Sequence, residues 1–213
     1  MSARDEAHES AFIVLEGIDG SGTTTQVQLL YEELLRRVVD QEVVKTREPY
    51  DPVLTKRIRA WLAEPNPPWE ALLHAFILDR HVHLRELVIP ALDRGAVVIC
   101  DRYKLSTLVY QPKHNDRALV EQLCDNAIDP DLYVLLDIDA SIASVRMASR
   151  SATKDAYERD IDFQREIAAD YNEALDAETK ITGVPAVTIN VDNLSILDVH
   201  YKVVEAVCEQ LGF

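Results

Sequence analysis

Apolar runs recur along the chain at residues 11–15, 97–100, 132–136 and 186–191, with a weaker one at 43–46, and stretches of helical periodicity separate them. The first, Ala11-Phe12-Ile13-Val14-Leu15, shows no alternation with polar residues, and neither do Val97-Val98-Ile99-Cys100 and Leu132-Tyr133-Val134-Leu135-Leu136. Runs of that kind suit strands buried on both faces. Val27, Leu30, Tyr31, Leu34 and Leu35 then repeat at the spacing of one helix face. Strands alternating with crossover helices predict an α/β fold, a parallel five-stranded sheet with helices on both faces and ligands at the carboxyl ends of the strands. The segment Glu64-Pro65-Asn66-Pro67-Pro68 breaks one helix and starts another, which is expected to run to about Leu92 and end near Gly95.

The 213 residues suffice for one well-buried α/β domain and are short for two. No repeat or low-complexity linker divides them, so 1–213 is read as one domain with residues 1–10 as a flexible N-terminus. No stretch reaches the roughly 18 uninterrupted apolar residues of a membrane span, and Met1 to His8 carry no apolar signal core. The expectation is a soluble, cytoplasmic protein. Cys100, Cys124 and Cys208 are scattered in apolar surroundings and are expected to be reduced core thiols rather than a disulfide framework or metal site. A net charge of −15 argues against nucleic acid or an anionic membrane as partner, because both require a broad basic surface. Any phosphate must therefore be met by a local basic cluster.

The candidate for such a site is Gly17-Ile18-Asp19-Gly20-Ser21-Gly22-Thr23-Thr24-Thr25-Gln26, which sits between the first strand and the first helix. Gly17, Gly22 and Thr24 match the phosphate-binding loop G-x-x-x-x-G-K-[ST], but Thr23 stands in the lysine place. Glycines let successive N–H groups and the positive end of the helix face an anion, and Thr24 can offer its hydroxyl to Mg²⁺. The competing reading is an ordinary Gly/Ser turn capping a helix. Asp101-Arg102 follows a strand beside this loop, where a carboxylate can hold hydrated Mg²⁺; a capping ion pair is the alternative. Phe76 and Arg80 lie one helical turn apart, so a ring and a guanidinium share a face, unless they are a core phenylalanine and a surface arginine. His74, His81 and His83 on the same helix lack a carboxylate pair and are read as surface or core-edge residues, not metal ligands.

Five ordered blocks together resemble the thymidylate kinases, P-loop NTPase-fold enzymes that move a phosphoryl group from ATP to dTMP. They are Leu15 to Gly22, Thr46-Arg47-Glu48-Pro49, Phe76 to Arg80, Asp101-Arg102-Tyr103 with Ser106, Thr107, Tyr110 and Gln111, and Tyr157-Glu158-Arg159-Asp160. The resemblance implies that Gly17, Asp19, Gly20, Ser21, Gly22, Thr23, Thr24 and Thr25 meet the phosphates of ATP and that Thr24 and Asp101 hold Mg²⁺. It further implies that Asp19, Glu48, Pro49, Phe76, Arg80, Arg102, Ser106, Thr107, Tyr110, Gln111 and Tyr157 bind dTMP, with Asp19 receiving the 3′-hydroxyl. A lid at about 146–157 would supply Arg150 and Lys154, which with Arg102 and Asp101 form the catalytic set; a solvated charged face is the competing reading, above all for Arg146. Thymidylate kinases are usually homodimers, and the same is expected here.

Two segments depart from the family pattern. Pro112-Lys113-His114-Asn115 follows Gln111 where many relatives are glycine-rich, and Tyr50-Asp51-Pro52 replaces the more usual Gly-Gly-Thr. In place of the missing lysine charge, Arg47, Arg102, Lys104, Arg150 and Lys154 are candidate cations, since all are expected near the carboxyl ends of the strands. A kinase of another nucleotide or nucleoside, and a catalytically weak nucleotide-binding regulator, are the alternative functions.

Overall fold

A computed structural model of the chain describes residues 10–148 and 160–213. Its sheet contains β1 (Ala11–Glu16), β2 (Val43–Arg47), β3 (Val97–Asp101), β4 (Leu132–Asp137) and β5 (Ala186–Asn190). All pairings are parallel and the spatial order is β2-β3-β1-β4-β5. The five apolar runs are therefore the five strands. Every residue of β1 and β3 is buried, whereas the edge strands β2 and β5 expose alternate residues. That difference explains why 43–46 carries the weaker apolar signal.

The helices are α1 (Thr23–Arg37), α2 (Pro52–Leu62), α3 (Trp69–His83), α4 (Ile89–Asp93), α5 (Lys104–Tyr110), α6 (Arg117–Cys124), α7 (Ala140–Ala148), α8 (Ile161–Thr182) and α9 (Ile196–Leu211). Local chemistry sets their ends. Asp51, Asp116, Asp160 and Ser195 accept first-turn amides of α2, α6, α8 and α9, and α8 and α9 end at left-handed Gly183 and Gly212. The helix expected to reach Leu92 instead has three parts, because a π-helical turn, Leu84–Val88, joins α3 to α4. Pro90 lacks the N–H that would bond Glu86 and its ring crowds that carbonyl, so the ladder widens just before it.

The order places β1 at the centre, between β3 and β4. The connection leaving β1 runs past β3 to β2, and the one leaving β3 crosses β1 in the opposite direction to β4, which opens a crevice at the carboxyl ends of β1 and β3. Glu16 and Asp101 end those two strands, with Leu15 opposite Asp101 in register. Among the described residues, no helix is long and apolar enough to cross a membrane.

Candidate active site

The loop after β1 wraps the first turn of α1. Gly22 occupies the N-cap in a left-handed conformation, φ 104°, and no side chain caps the helix, so its leading N–H groups are left for an anion. Close packing also dictates glycine at position 20, where a Cβ would lie 2.6 Å from the Ala143 carbonyl oxygen of α7. A turn that merely capped α1 would place a side chain on the helix amides. Here they are presented bare.

Thr24 and Asp101 meet across the loop. The Thr24 hydroxyl donates to Asp101 Oδ2 at 2.5 Å, while Asp101 Oδ1 is buried without a hydrogen-bond partner. A hydroxyl beside a carboxylate with one unsatisfied buried oxygen is a donor pair that could hold a hydrated Mg²⁺. Among the described residues no cluster of three or more His, Cys, Asp or Glu side chains could hold a metal, so an ion here would take further ligands from nucleotide and water. Asp101 makes no ion pair with Arg102, contrary to the capping-pair reading. Arg102 turns away, with φ 67°, in the left-handed region that non-glycine residues seldom occupy.

The Arg102 guanidinium is held from two sides. Its Nη2 donates to Asp19 Oδ1 at 2.7 Å, and its Nη1 to Tyr171 Oη at 3.1 Å and Ser106 Oγ at 3.4 Å. Beneath it, the fully buried Glu16 accepts from the Tyr103 amide at 2.8 Å and the Ser106 hydroxyl at 2.7 Å, and more weakly from the Ser106 amide and Tyr171 hydroxyl. Burial raises the Glu16 carboxyl above its ordinary value, while the Ser106 hydroxyl, the Arg102 charge and the backbone donors oppose that rise.

Beside this network lies a cavity of about 300 Å³, lined by Asp19, Arg47, Glu48 and Pro49, by Ile58, Arg59 and Leu62 of α2, by Phe76 and Arg80 of α3, and by Arg102, Tyr103, Ser106, Thr107, Tyr110 and Gln111. Arg80 is only 3% exposed and is no surface arginine. Its Nε and Nη2 donate to Glu48 Oε2 at 2.9 and 2.8 Å, and Nη2 also reaches the Tyr103 carbonyl and Thr107 hydroxyl. Burial works against its charge, yet the Glu48 carboxylate holds the guanidinium well above its ordinary value. The side chains of Arg47 and Arg59 also line the cavity but make neither ion pair nor hydrogen bond among the described residues.

The cavity thus gathers Asp19, Glu48, Pro49, Phe76, Arg80, Arg102, Ser106, Thr107, Tyr110 and Gln111 from the residues expected to bind one ligand, while Thr24 and Asp101 lie together at the phosphate loop. Arg150, Lys154 and Tyr157 lie outside the described residues. Three expectations require correction. Lys104 is not an available cation, since it is buried and paired with Asp129 at 2.7 Å and with Glu178. His83 is not a surface or core-edge residue but fully buried, whereas His74 and His81 are exposed as expected. Cys208 is only partly buried, unlike the core thiols Cys100 and Cys124. Sequence reasoning also overlooked Glu16, Asp79, Arg59 and Tyr171. An ionisable residue ending an otherwise apolar strand is a signal that could have found Glu16; Tyr171 carries no local signal, lying 69 positions from the arginine it contacts.

Residues 15–195 match the thymidylate kinase family. A probable thymidylate kinase of Pyrococcus horikoshii is 35% identical over 207 residues, covering 94% of this chain and 97% of its own. A thymidylate kinase of Pelotomaculum thermopropionicum is 40% identical over 171 residues, 75% of this chain and 77% of that one. The crystal structure of thymidylate kinase from Ehrlichia chaffeensis superposes with a TM-score of 0.69 at 29% identity, over 93% of this chain and 99% of that one. The sequence match spans the phosphate loop, the cavity and the Asp101–Arg102 turn together, and the chain belongs to the thymidylate kinase family.

Proposed function

We propose that the protein transfers a phosphoryl group from ATP to dTMP, giving dTDP and ADP. One observation carries this reading beyond family membership: Asp19 belongs to the phosphate loop and also forms a wall of the cavity, where it grips Arg102 at 2.7 Å. In this reading donor and acceptor lie on the two sides of one residue pair. Phosphoryl transfer depends chiefly on such positioning and on charge stabilisation, and requires no protein general base.

The bare amides at the head of α1 cradle the ATP phosphates. Thr24 and Asp101 would hold Mg²⁺, which supplies charge neutralisation of the phosphates when bound. Phe76 stacks on thymine and Arg80, immobilised by Glu48 and Thr107, meets its carbonyl edge. Tyr110 and Gln111 close the base pocket, Ser106 is turned toward Glu16, and Glu48 and Pro49 shape the phosphate end. Arg47 and Arg59, with charges unspent on any carboxylate among the described residues, are available to the dianionic acceptor phosphate. Arg102 reaches the transferred group once the 3′-hydroxyl of dTMP engages Asp19.

Thr23 stands where the family motif has lysine, and it is buried at the head of α1. With Lys104 committed to Asp129 and Glu178, the missing charge is assigned to Arg150 or Lys154, with Tyr157 of the same stretch reaching dTMP. The reading further includes a homodimer, by analogy with the family, a cytoplasmic location, a single domain over 1–213, and no nucleic-acid partner, supported by the net charge of −15. A coupled assay of ADP release across dTMP, dUMP, dCMP, dGMP and dAMP with Mg²⁺ and ATP tests the assignment; release that is fastest with dTMP is expected, and equal or absent release with all five would refute it.

A further inference from the structure

The buried ring of His83 has no place in the reaction outlined above, yet it makes three directed contacts. Its Nδ1 lies 3.2 Å from Glu48 Oε1, its Nε2 lies 2.8 Å from the Thr46 hydroxyl, and its face stacks on Tyr50 at 4.7 Å with the planes inclined by 22°. Glu48 Oε2 is already occupied by Arg80. The histidine therefore takes the second oxygen of the same carboxylate, fixing the rotation that aims Oε2 at the guanidinium. One turn earlier on α3, the Asp79 carboxylate accepts the Tyr50 amide at 2.6 Å and the Asp51 amide at 2.8 Å, and Asp51 in turn caps α2. Asp79 and His83 thus pin residues 46–51 to α3 at both ends. The π-helical turn begins at the next residue, Leu84, so the distortion lies at the clamp. The family departure at Tyr50-Asp51-Pro52 also gains a use, since Tyr50 roofs the ring and Asp51 completes the clamp.

From this geometry we infer that His83 is a positioning residue for acceptor recognition, acting through Glu48 on Arg80, and that its Nδ1 carries a proton directed at Glu48 Oε1. The place of that proton follows from the partner: a carboxylate oxygen accepts only, so Nδ1 must donate, while the Thr46 hydroxyl can serve Nε2 as donor or acceptor. The inference rests on the assignment of Glu48 and Arg80 to the dTMP site.

Two measurements test it. In ¹⁵N-labelled wild-type protein, the two-bond ¹⁵N–¹H spectrum of His83 should show a proton on Nδ1, alone or together with one on Nε2; the neutral Nε2–H pattern would overturn the inference without any activity measurement. In kinetics, an asparagine amide can stand in for Nδ1–H, whereas a glutamine amide falls nearer Nε2. His83→Gln should raise the KM for dTMP about tenfold, the scale of losing one hydrogen bond to a charged group, with the KM for ATP and kcat near wild type. His83→Asn should recover most of that loss. Equal behaviour of the two variants, or a joint rise in both KM values, would reduce His83 to a packing residue. Should the His83 variants fail to fold, Thr46→Val removes the hydroxyl partner of Nε2 from a less buried position, and unchanged dTMP KM in that variant would count against the clamp. If the wild-type protein shows no turnover of dTMP, the proposed function falls, while the proton on Nδ1 still decides whether the ring orients Glu48.

Discussion

Asp19 and Arg102 lie 83 residues apart in sequence, and their side chains meet at 2.7 Å where the loop after β1 touches the cavity. A carboxylate placed inside a loop that binds polyanions would repel its ligand if left bare. Paired with Arg102 it is neutralised, and the pair orients a guanidinium that would otherwise find its own way to the phosphates. The left-handed backbone of Arg102 is the local cost of aiming the side chain back over β1 instead of along the start of α5.

Phe76 is partly exposed at the cavity wall and is assigned to stack on thymine. Phe76→Ala is expected to weaken dTMP binding by about 1–3 kcal/mol, the worth of a base stack, with little change for ATP. Calorimetric titration of each ligand checks this. Equal losses for both would indicate general loosening of α3.

Asp101→Asn is expected to lower turnover sharply and to raise the Mg²⁺ concentration needed for half-maximal rate, because a neutral amide holds a hydrated dication less well. The fold should persist, as Asp101 makes no ion pair and its Oδ1 is unsatisfied. A large fall in melting temperature with an unchanged Mg²⁺ requirement would show that the carboxylate serves stability instead.

The architecture was legible because β1, β3 and β4 are buried on both faces and so read as unbroken apolar runs, while Gly22 and Thr24 sit at fixed offsets from β1. Much of the cavity was legible for the same reason, since Phe76 and Arg80 share a helix face and Ser106 to Tyr110 lie on one helix. The supporting contacts were not. Glu16 to Tyr171, His83 to Glu48 and Lys104 to Glu178 join residues 35 to 155 positions apart, and no periodicity encodes which distant partner a polar side chain will meet. Lys104 illustrates this, because its place after β3 suggested a phosphate contact while tertiary packing turned it toward α8.

Glu16 offers a test by pH. Burial raises its folded carboxyl above the ordinary value of 4.5, so between that value and the folded one the native state holds more protons than the unfolded state. Its contribution to stability is therefore most favourable below pH 4.5 and declines as pH rises through the folded value. Glu16→Gln removes that titration, and the variant should gain stability relative to wild type as pH is raised from about 4.5 toward neutrality. Denaturant midpoints of both proteins across this range give the comparison; a gap that stays constant, or shrinks with rising pH, would contradict the burial argument.

Thr23 bears on catalysis most directly. The bare helix amides, Thr24 and Asp101 stand together at the loop, and Phe76, Arg80 and Arg102 line the cavity, so the groups proposed to bind both substrates are in place although the lysine charge is missing. Phosphoryl transfer needs that charge from some group. Measurable dTMP kinase activity is expected from the protein as it stands, with Arg150 or Lys154 supplying the cation. Arg150→Ala or Lys154→Ala should then reduce kcat by about 10²-fold or more, the loss typical of one charge-stabilising donor. Thr23→Lys placed on the same background should restore part of it, and the double-mutant cycle measures the coupling between the two positions. Full additivity would assign the charge elsewhere. Turnover no faster than that of a Thr24→Ala, Asp101→Ala control would remove the kinase assignment itself and leave a nucleotide-binding protein in its place.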